Sequence, residues 1–173
     1  MIRLNLWESR IMVSLSELKA EINSYASAHS LSLWISEVYD LFPEGGSTSN
    51  SVLHAWPEKW PNGSSQGIYL FLDPTFLLLY VGKSSGKSSS IRSRLNGYFD
   101  SAAKRGSGQC ILREEWNGYH RPWGTRPRFV VTVAMEPDSE TGACLASERL
   151  EKYLIQKFSP SENTSLKLRS SSV

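Results

Sequence analysis

The stretch from residue 67 to residue 99 constrains the fold more than any other part of the chain. Residues 67–72 are rich in aromatic and β-branched side chains, which favour strands, and Asp73-Pro74-Thr75 is typical of a turn. A second apolar run, residues 76–82, ends at a glycine and is followed by a Ser/Gly/Lys-rich loop. The stretch therefore predicts a β-hairpin, a loop and then a helix.

Antiparallel pairing across this hairpin brings two tyrosines together. With Pro74-Thr75 as a two-residue turn, Tyr69 lies directly opposite Tyr80, and a three-residue turn makes them diagonal neighbours instead. Because side chains alternate along a strand, both tyrosines are expected on one face of the hairpin. Two such tyrosines alone are more often core residues than catalytic ones, so other signals must decide their role.

Positive charge is concentrated after the hairpin. Residues 83–128 hold 10 Lys/Arg and 3 Asp/Glu, a net charge of +7, whereas the whole chain carries only +2. A basic segment of this kind suits a polyanion, because cations that neutralise phosphates release counterions. The candidate contacts to nucleic acid are Lys87, Arg92, Lys104, Arg105 and Arg121. The alternative is a solvated surface with scattered basic residues.

Composition limits the class of protein. The 173 residues include 40% hydrophobic and 21% charged residues, which suits one globular domain with a core. No apolar run approaches the ~20 residues of a membrane span, and the first residues lack a signal-peptide pattern. We therefore expect a cytoplasmic protein with no membrane partner. Cys110 and Cys144 are too few for a disulfide framework and lack zinc-ligand spacing.

The other segments predict helices around a small sheet. Ser14-Leu15-Ser16-Glu17 resembles a capping box, and apolar spacing predicts two helices within residues 14–42. Residues 128–135 indicate a third strand, while residues 90–103 and 143–158 have helical apolar stripes. Residues 43–66 and 104–127 are expected to be irregular. Trp56 and Trp60 in the first of these segments either pack against the core or stack on bases.

Together these elements give an α/β (α+β) fold: a small three-stranded antiparallel or mixed sheet flanked by helices, preceded by an N-terminal helical hairpin. The expected division is residues 1–60 as a helical extension and linker, 61–165 as the core domain and 166–173 as a flexible tail. The extension contacts substrate, mediates dimerisation or covers the sheet, and the sequence does not choose among these roles.

Several motifs within residues 67–163 resemble those of the GIY-YIG nuclease family. One of these motifs also resembles the UvrC excision-repair branch of that family. The two signature triplets stand here as Gly67-Ile68-Tyr69 and Tyr80-Val81-Gly82, followed by Lys83 as in that branch. The later matches are Arg94-Leu95-Asn96-Gly97-Tyr98-Phe99, similar to the family's arginine helix, and Leu150-Glu151-Lys152-Tyr153-Leu154-Ile155 with Pro160 and Asn163, similar to its metal-binding glutamate helix and closing motif.

The resemblance implies a metal-dependent endonuclease that hydrolyses phosphodiester bonds in DNA, with RNA as the alternative substrate. Tyr69 would act as general base, and Lys83, just past the strand end, would lower the pKa of that tyrosine. Tyr80 would orient the phosphate or the water. Arg94 would clamp non-bridging oxygens, which its fork geometry suits. Glu151 would hold Mg²⁺ or Mn²⁺, which need only one or two carboxylates.

Three further residues have open roles. Tyr98 matches a family position but also belongs to an apolar stripe, and Asn163 is either catalytic or a tie between the last helix and the sheet. Glu148, one helical turn before Glu151, is the fallback metal ligand. The alternative functions are a non-catalytic nucleic-acid-binding module on the same fold and a protein-interaction domain. Cutting both strands of a duplex would require a homodimer or two successive nicks.

Overall fold

The computed structural model describes residues 14–41, 53–55, 60–84, 86, 89–101, 109–112, 124–136 and 140–163. These ranges contain α1 (Leu15–Ala28), β1 (Leu33–Ile35), β2 (Tyr39–Asp40), β3 (Leu53–Ala55), β4 (Gly67–Leu72), β5 (Leu78–Ser84), α2 (Ile91–Asn96), β6 (Phe99–Ser101), β7 (Gln109–Leu112), β8 (Phe129–Met135) and α3 (Glu140–Phe158). Trp56, Lys87, Lys104, Arg105 and Arg121 lie outside the described residues.

The main sheet has five antiparallel strands, in the order β1-β8-β4-β5 with β2 also paired to β8. Its three longest strands are the three that the sequence predicts, and the α+β class is confirmed, although the sheet has five strands instead of three. A second sheet, in the order β3-β7-β6, uses parts of residues 43–66 and 104–127. The expectation that those segments are irregular is therefore wrong for β3 and β7.

The two faces of the main sheet carry separate apolar clusters. On the face covered by α1 and α3, here called the α3 face, both helices pack against Ile68 and Leu70. On the opposite face, the α2 face, α2 and Trp60 pack against Tyr69 and Phe71. Trp60 is 3% exposed, so it packs against the core and does not stack on bases.

A single helix, α1, stands where the sequence predicts a helical hairpin. It begins at the predicted capping box, where Ser14 Oγ accepts the backbone N–H of Glu17. It ends in a left-handed turn at Ser30, whose φ is +52°, and the N–H of Leu31 donates to the carbonyl of Ala26 at 2.9 Å. Since α1 packs on the main sheet, it covers the sheet, which is one of the three roles left open for this segment.

The second predicted helix is wrong, because its residues form β1 and β2. Leu33 and Ile35 pack against the α3-face cluster, whereas Trp34 between them is 64% exposed. This alternation has the period of a strand. Short apolar runs fit a helix or a strand equally well by periodicity alone, which explains the error. Both strands pair with β8, so residues 33–40 belong to the same sheet as the hairpin.

The hairpin turn is longer than predicted. It spans residues 73–77, and Asp73 Oδ1 accepts the backbone N–H of Thr75 at 2.7 Å and that of Leu77 at 2.9 Å. Phe76 adopts a left-handed conformation with φ +65°. Asp73 therefore organises a five-residue loop, and Pro74-Thr75 is only its central part.

The turn and a register shift between Phe71 and Leu72 together change the pairing of the hairpin. Tyr69 lies opposite Gly82 and Tyr80 lies opposite Phe71, so the predicted pairing of Tyr69 with Tyr80 is wrong. The two tyrosines are nevertheless diagonal neighbours on one face, with ring centroids 6.2 Å apart. The predicted sharing of a face is confirmed.

Two helix boundaries also differ from the prediction. The predicted helix of residues 90–103 ends at Asn96, because Gly97 caps it and β6 begins at Phe99; glycine favours helix ends and aromatic residues favour strands. The last helix, α3, begins at Glu140, three residues before the predicted start. None of the helices in the described ranges is both long and apolar enough to cross a membrane.

Gly67 is expected to be essential to the main sheet. A Cβ atom there would lie 1.9 Å from the carbonyl oxygen of Val133, so Gly67→Ala must push β4 and β8 apart. We expect it to lower the free energy of unfolding by about 3 kcal/mol, measured by urea denaturation. Gly86→Ala is the control, since its Cβ would make only an ordinary 3.5 Å contact and should change stability by about 1 kcal/mol or less. Equal effects of the two substitutions would contradict this packing.

Candidate functional site

Three tyrosine hydroxyls meet on the α2 face of the main sheet. Tyr69 comes from β4 and Tyr80 from β5, while Tyr98 follows the end of α2. The hydroxyl oxygens of Tyr69 and Tyr98 are 2.9 Å apart, and Tyr98 also hydrogen-bonds to Tyr80. Tyr69 and Tyr98 are buried, whereas Tyr80 is half-buried. Tyr80 is thus the member of the cluster that reaches solvent.

Burial keeps two of these hydroxyls protonated. Burial raises the pKa of Tyr69, and the neighbouring Tyr80 raises it further; the hydrogen bond to Tyr98 and the charge of Arg94 lower it without offsetting the effect of burial. Burial is also the main cause of the raised pKa of Tyr98. The predicted role of Tyr69 as a base is therefore not supported, because forming its phenolate is unfavourable in this environment.

Lys83 lies inside β5, and not just past the strand end as predicted. Its Nζ is 3.2 Å from Glu151 Oε2 and 3.7 Å from Glu148 Oε1. Alternation along β5 sends Lys83 to the α3 face and Tyr80 to the α2 face. The predicted effect of Lys83 in lowering the pKa of Tyr69 is wrong, because its ammonium group pairs with carboxylates on α3.

The two carboxylates that share Lys83 have different environments. The side chain of Glu151 is 14% exposed, and burial raises its pKa even though the charge of Lys83 opposes that rise. Glu148 is more exposed, and its hydrogen bond with Lys152, together with the charge of Lys83, lowers its pKa. A negative charge is thus less favourable on Glu151 than on Glu148, and an additional cation would stabilise Glu151 more.

This pair of carboxylates fits a magnesium or manganese ion. Mg²⁺ prefers oxygen ligands, keeps several waters and is commonly held by one or two carboxylates. Glu151 and Glu148 are three residues apart on α3 and therefore neighbours on its surface, and both already lie within 4 Å of one cation, the Lys83 ammonium. Since no cluster of three or more Asp, Glu, His or Cys occurs in the described part of the chain, water or substrate oxygens would complete the coordination.

The charges of Arg94 and Glu151 both act on the hydroxyl of Tyr69 in the tyrosine cluster. Arg94 is exposed on α2; its charge lowers the pKa of Tyr69, and the charge of Glu151 raises it, so both lie within electrostatic reach of that hydroxyl. Between the two groups runs the edge strand β5. At Gly82 a Cβ atom would be 2.3 Å from the ring of Tyr69, so the ring packs directly on the bare backbone of this strand.

The predicted site residues are therefore brought near one another, but in two groups. Tyr69, Tyr80 and Tyr98 form one group by hydrogen bonds on the α2 face, and Lys83 and Glu151 form the other by an ion pair on the α3 face. The charge of Glu151 in the second group acts on the hydroxyl of Tyr69 in the first group.

Asn163 is fully engaged with the outer edge of β5. Its side-chain Oδ1 accepts the N–H of Val81 and its Nδ2 donates to the carbonyl of Val81, both at 2.8 Å. The N–H of Glu162 donates to the carbonyl of Leu79 at 2.9 Å. Both polar atoms of the Asn163 side chain form hydrogen bonds to the backbone. The geometry therefore favours a structural role for Asn163 over a catalytic one.

Sequence reasoning did not single out Trp34 or the contact between Tyr69 and Gly82. No signal in the sequence marks Trp34 as exposed, because Leu33, Trp34 and Ile35 are all apolar and the run is too short to show a period. The contact at Gly82 depends on the register of the hairpin, and therefore on the turn length and on the register shift between Phe71 and Leu72. Of the predicted nucleic-acid contacts, Arg92 lies within the described residues, exposed on α2.

Comparisons with protein-family models, with curated proteins and with solved structures find no match for this chain. The resemblance to GIY-YIG nucleases thus rests on the motif residues themselves.

The pH dependence of stability tests the difference between the two carboxylates. Because the pKa of Glu151 is raised above 4.5 by folding, its stabilising contribution is present below that pH and is lost as the pH rises through the folded-state pKa. Glutamine does not titrate, so the stability of Glu151→Gln relative to wild type should improve between about pH 4 and about pH 7, measured by urea denaturation.

Glu148→Gln is the matched control one helical turn away. The pKa of Glu148 is lowered below 4.5 by folding, so its contribution is complete above that pH and is lost as the pH falls through the folded-state pKa. The stability of Glu148→Gln relative to wild type should therefore decline as the pH rises towards about 5 and stay level from there to about pH 7. If the two variants follow the same trend, the carboxylates do not differ as the structure indicates.

Proposed function

We propose that the protein is a metal-dependent endonuclease that hydrolyses phosphodiester bonds in DNA. The observation that carries the proposal is the position of the Arg94 guanidinium, the tyrosine cluster and Glu151 within electrostatic reach of one another around β5. Phosphodiester hydrolysis needs an activated water, neutralisation of charge at phosphorus and help for the leaving oxygen. The motifs that resemble the GIY-YIG family supply the same residue types in the same order.

Arg94 and Tyr80 are proposed to contact the scissile phosphate. Arg94 is exposed and carries the fork of donors that binds non-bridging phosphate oxygens. The half-buried Tyr80 replaces Tyr69 as the candidate base or water-orienting group, because it reaches solvent. Tyr69 and Tyr98 then act as positioning residues, since Tyr69 bonds to Tyr98 and Tyr98 bonds to Tyr80.

Glu151 is proposed to hold the metal ion, with Glu148 as the second carboxylate. When bound, Mg²⁺ or Mn²⁺ supplies charge neutralisation at phosphorus and assistance to the leaving oxygen. Lys83 balances the negative charge of both carboxylates in the absence of that ion. A homodimer is the proposed form for cutting both strands, because the residues that the structure describes contain one such site.

A non-catalytic nucleic-acid-binding module is the second candidate. It is favoured by two observations: the phenol of Tyr69 is buried with a raised pKa, and the Lys83 ammonium already occupies the carboxylate pair. On this account Arg92 and Arg94 bind phosphates and no bond is broken.

Cleavage assays distinguish the two candidates. Plasmid, single-stranded, flapped and branched DNA should be cut with Mg²⁺ or Mn²⁺ and left intact in EDTA. Glu151→Gln should lose at least about 10²-fold of the rate while still binding DNA. Arg94→Ala should lose about 10²- to 10³-fold, because it removes charge stabilisation in the transition state.

Arg149→Ala is the control for the loss of a positive charge. Arg149 is exposed on α3 and lines a separate cleft with Tyr25 and His29, so this variant should cut DNA at the wild-type rate. Tight, salt-sensitive DNA binding without cutting under any metal condition would support the binding module. A wild-type protein that neither cuts nor binds nucleic acid would refute both candidates.

A further inference from the structure

Trp34 is a fixed, exposed aromatic residue on the edge strand β1. Its side chain is 64% exposed, although large apolar groups usually gain stability from burial. The indole N–H donates to the carboxylate of Glu136, and the backbone pairs with β8 at Ala134. Both the ring and the main chain are therefore held in place, and a ligand that stacks on the indole pays little ordering entropy.

Trp34 faces the same side of the sheet as the tyrosine cluster. Leu33 and Ile35 pack on the α3 face, so Trp34 projects towards the α2 face. In register, Trp34 lies beside Ala134, which lies beside Gly67 on β4, two residues before Tyr69. With strands ~4.8 Å apart and ~3.3 Å per residue, the Cα atoms of Trp34 and Tyr69 are about 12 Å apart.

One loop connects Trp34 with the arginine helix. Asn62 Nδ2 donates to the carbonyl of Trp34 at 3.4 Å and to Thr132 Oγ1 at 3.2 Å. The next residue, Gly63, accepts the backbone N–H of Arg92 at 2.9 Å. The exposed Arg92 side chain and the exposed indole therefore flank the same short loop.

From this placement we infer that Trp34 is a stacking platform for an unpaired base of the bound nucleic acid. The inference rests on the proposed function and specifies its substrate as DNA with a single-stranded gap, flap or end. Exposed aromatic rings stack on any base, while nearby arginines hold the phosphates. Tyr80, the proposed contact to the scissile phosphate, lies one strand further and opposite Phe71, about 20 Å from Trp34 at the same spacings. At the ~3.4 Å rise of a DNA strand the stacked base is therefore about six nucleotides from the bond that is cut.

The carboxylate of Glu136 indicates that a base, and not a phosphate, lies against the indole of Trp34. It bonds to the indole N–H, so its negative charge lies beside the ring and repels the sugar-phosphate backbone. The flat face of a base carries no such charge. The phosphates are instead expected along the loop towards Arg92 and Arg94.

Oligonucleotide binding tests the inference. Fluorescence anisotropy in EDTA, which prevents cutting, should compare a gapped duplex with a fully paired duplex of the same length. Trp34→Ala should weaken binding of the gapped duplex about tenfold and leave binding of the paired duplex nearly unchanged. Trp34→Phe should retain most of the affinity, because phenylalanine still offers an aromatic face.

Phe76→Ala is the matched control. Phe76 is another exposed aromatic residue, 38% exposed, but it lies in the hairpin turn and stacks on Phe129, so its removal should not alter the affinity for either duplex. If Trp34→Ala is poorly folded by circular dichroism, Trp34→Leu takes its place: a loss of gapped-duplex binding with leucine and its retention with phenylalanine supports stacking.

The outcomes separate this inference from the proposed function. Wild type that binds and cuts DNA, with unchanged gapped-duplex affinity in Trp34→Ala, refutes the stacking role alone. Equal weakening on both duplexes also refutes it, since a general contact would not distinguish unpaired bases. A wild-type protein that binds no oligonucleotide refutes the stacking role and the proposed function together.

Discussion

The contact between the ring of Tyr69 and the bare backbone of Gly82 fixes the arrangement of the candidate site. It exists because the five-residue turn at Asp73 and the register shift between Phe71 and Leu72 together place the two residues opposite one another. With Tyr69 over Gly82, its hydroxyl reaches that of Tyr98. The same register directs Lys83 to the α3 face, where it meets Glu151.

Desolvation decides which groups at this site can carry charge. It raises the pKa of Tyr69 and Tyr98 and leaves them as neutral hydrogen-bonding partners. It also raises the pKa of Glu151, although an ammonium group is only 3.2 Å away. A half-buried carboxylate whose pKa is raised despite one nearby cation is stabilised further by a second cation, and this supports the proposed metal ion more than the number of acidic residues does.

The sequence could predict elements whose signals are local. The apolar runs predicted β4, β5 and β8, and the capping box at Ser14 predicted the start of α1. The register of the hairpin could not be predicted, because it depends on the side chain of Asp73 accepting several turn N–H groups and on a shift of the pairing between Phe71 and Leu72. Likewise β1 depends on its pairing with β8, and the three-residue run around Trp34 is too short to show a period by itself.

The candidate site residues were predictable as a set but not in their roles. Alternation already implied that Tyr80 and Lys83 point to opposite faces, yet only the packing of α3 against β5 shows that Lys83 pairs with Glu151. The burial of Tyr69 and Tyr98 depends on α2 and Trp60 lying over the hairpin. Whether a tyrosine can lose its proton is thus a tertiary property, which a motif cannot encode.

The two hydrogen bonds between Asn163 and Val81 have a consequence for how copies of the chain can meet. An outer strand normally presents unpaired backbone groups that recruit another strand. Here one carboxamide, helped by the N–H of Glu162 on Leu79, occupies those groups in the middle of β5. Addition of a strand is therefore blocked at this part of β5, and a dimer that joined two main sheets would use the opposite border, where β1 and β2 pair with β8.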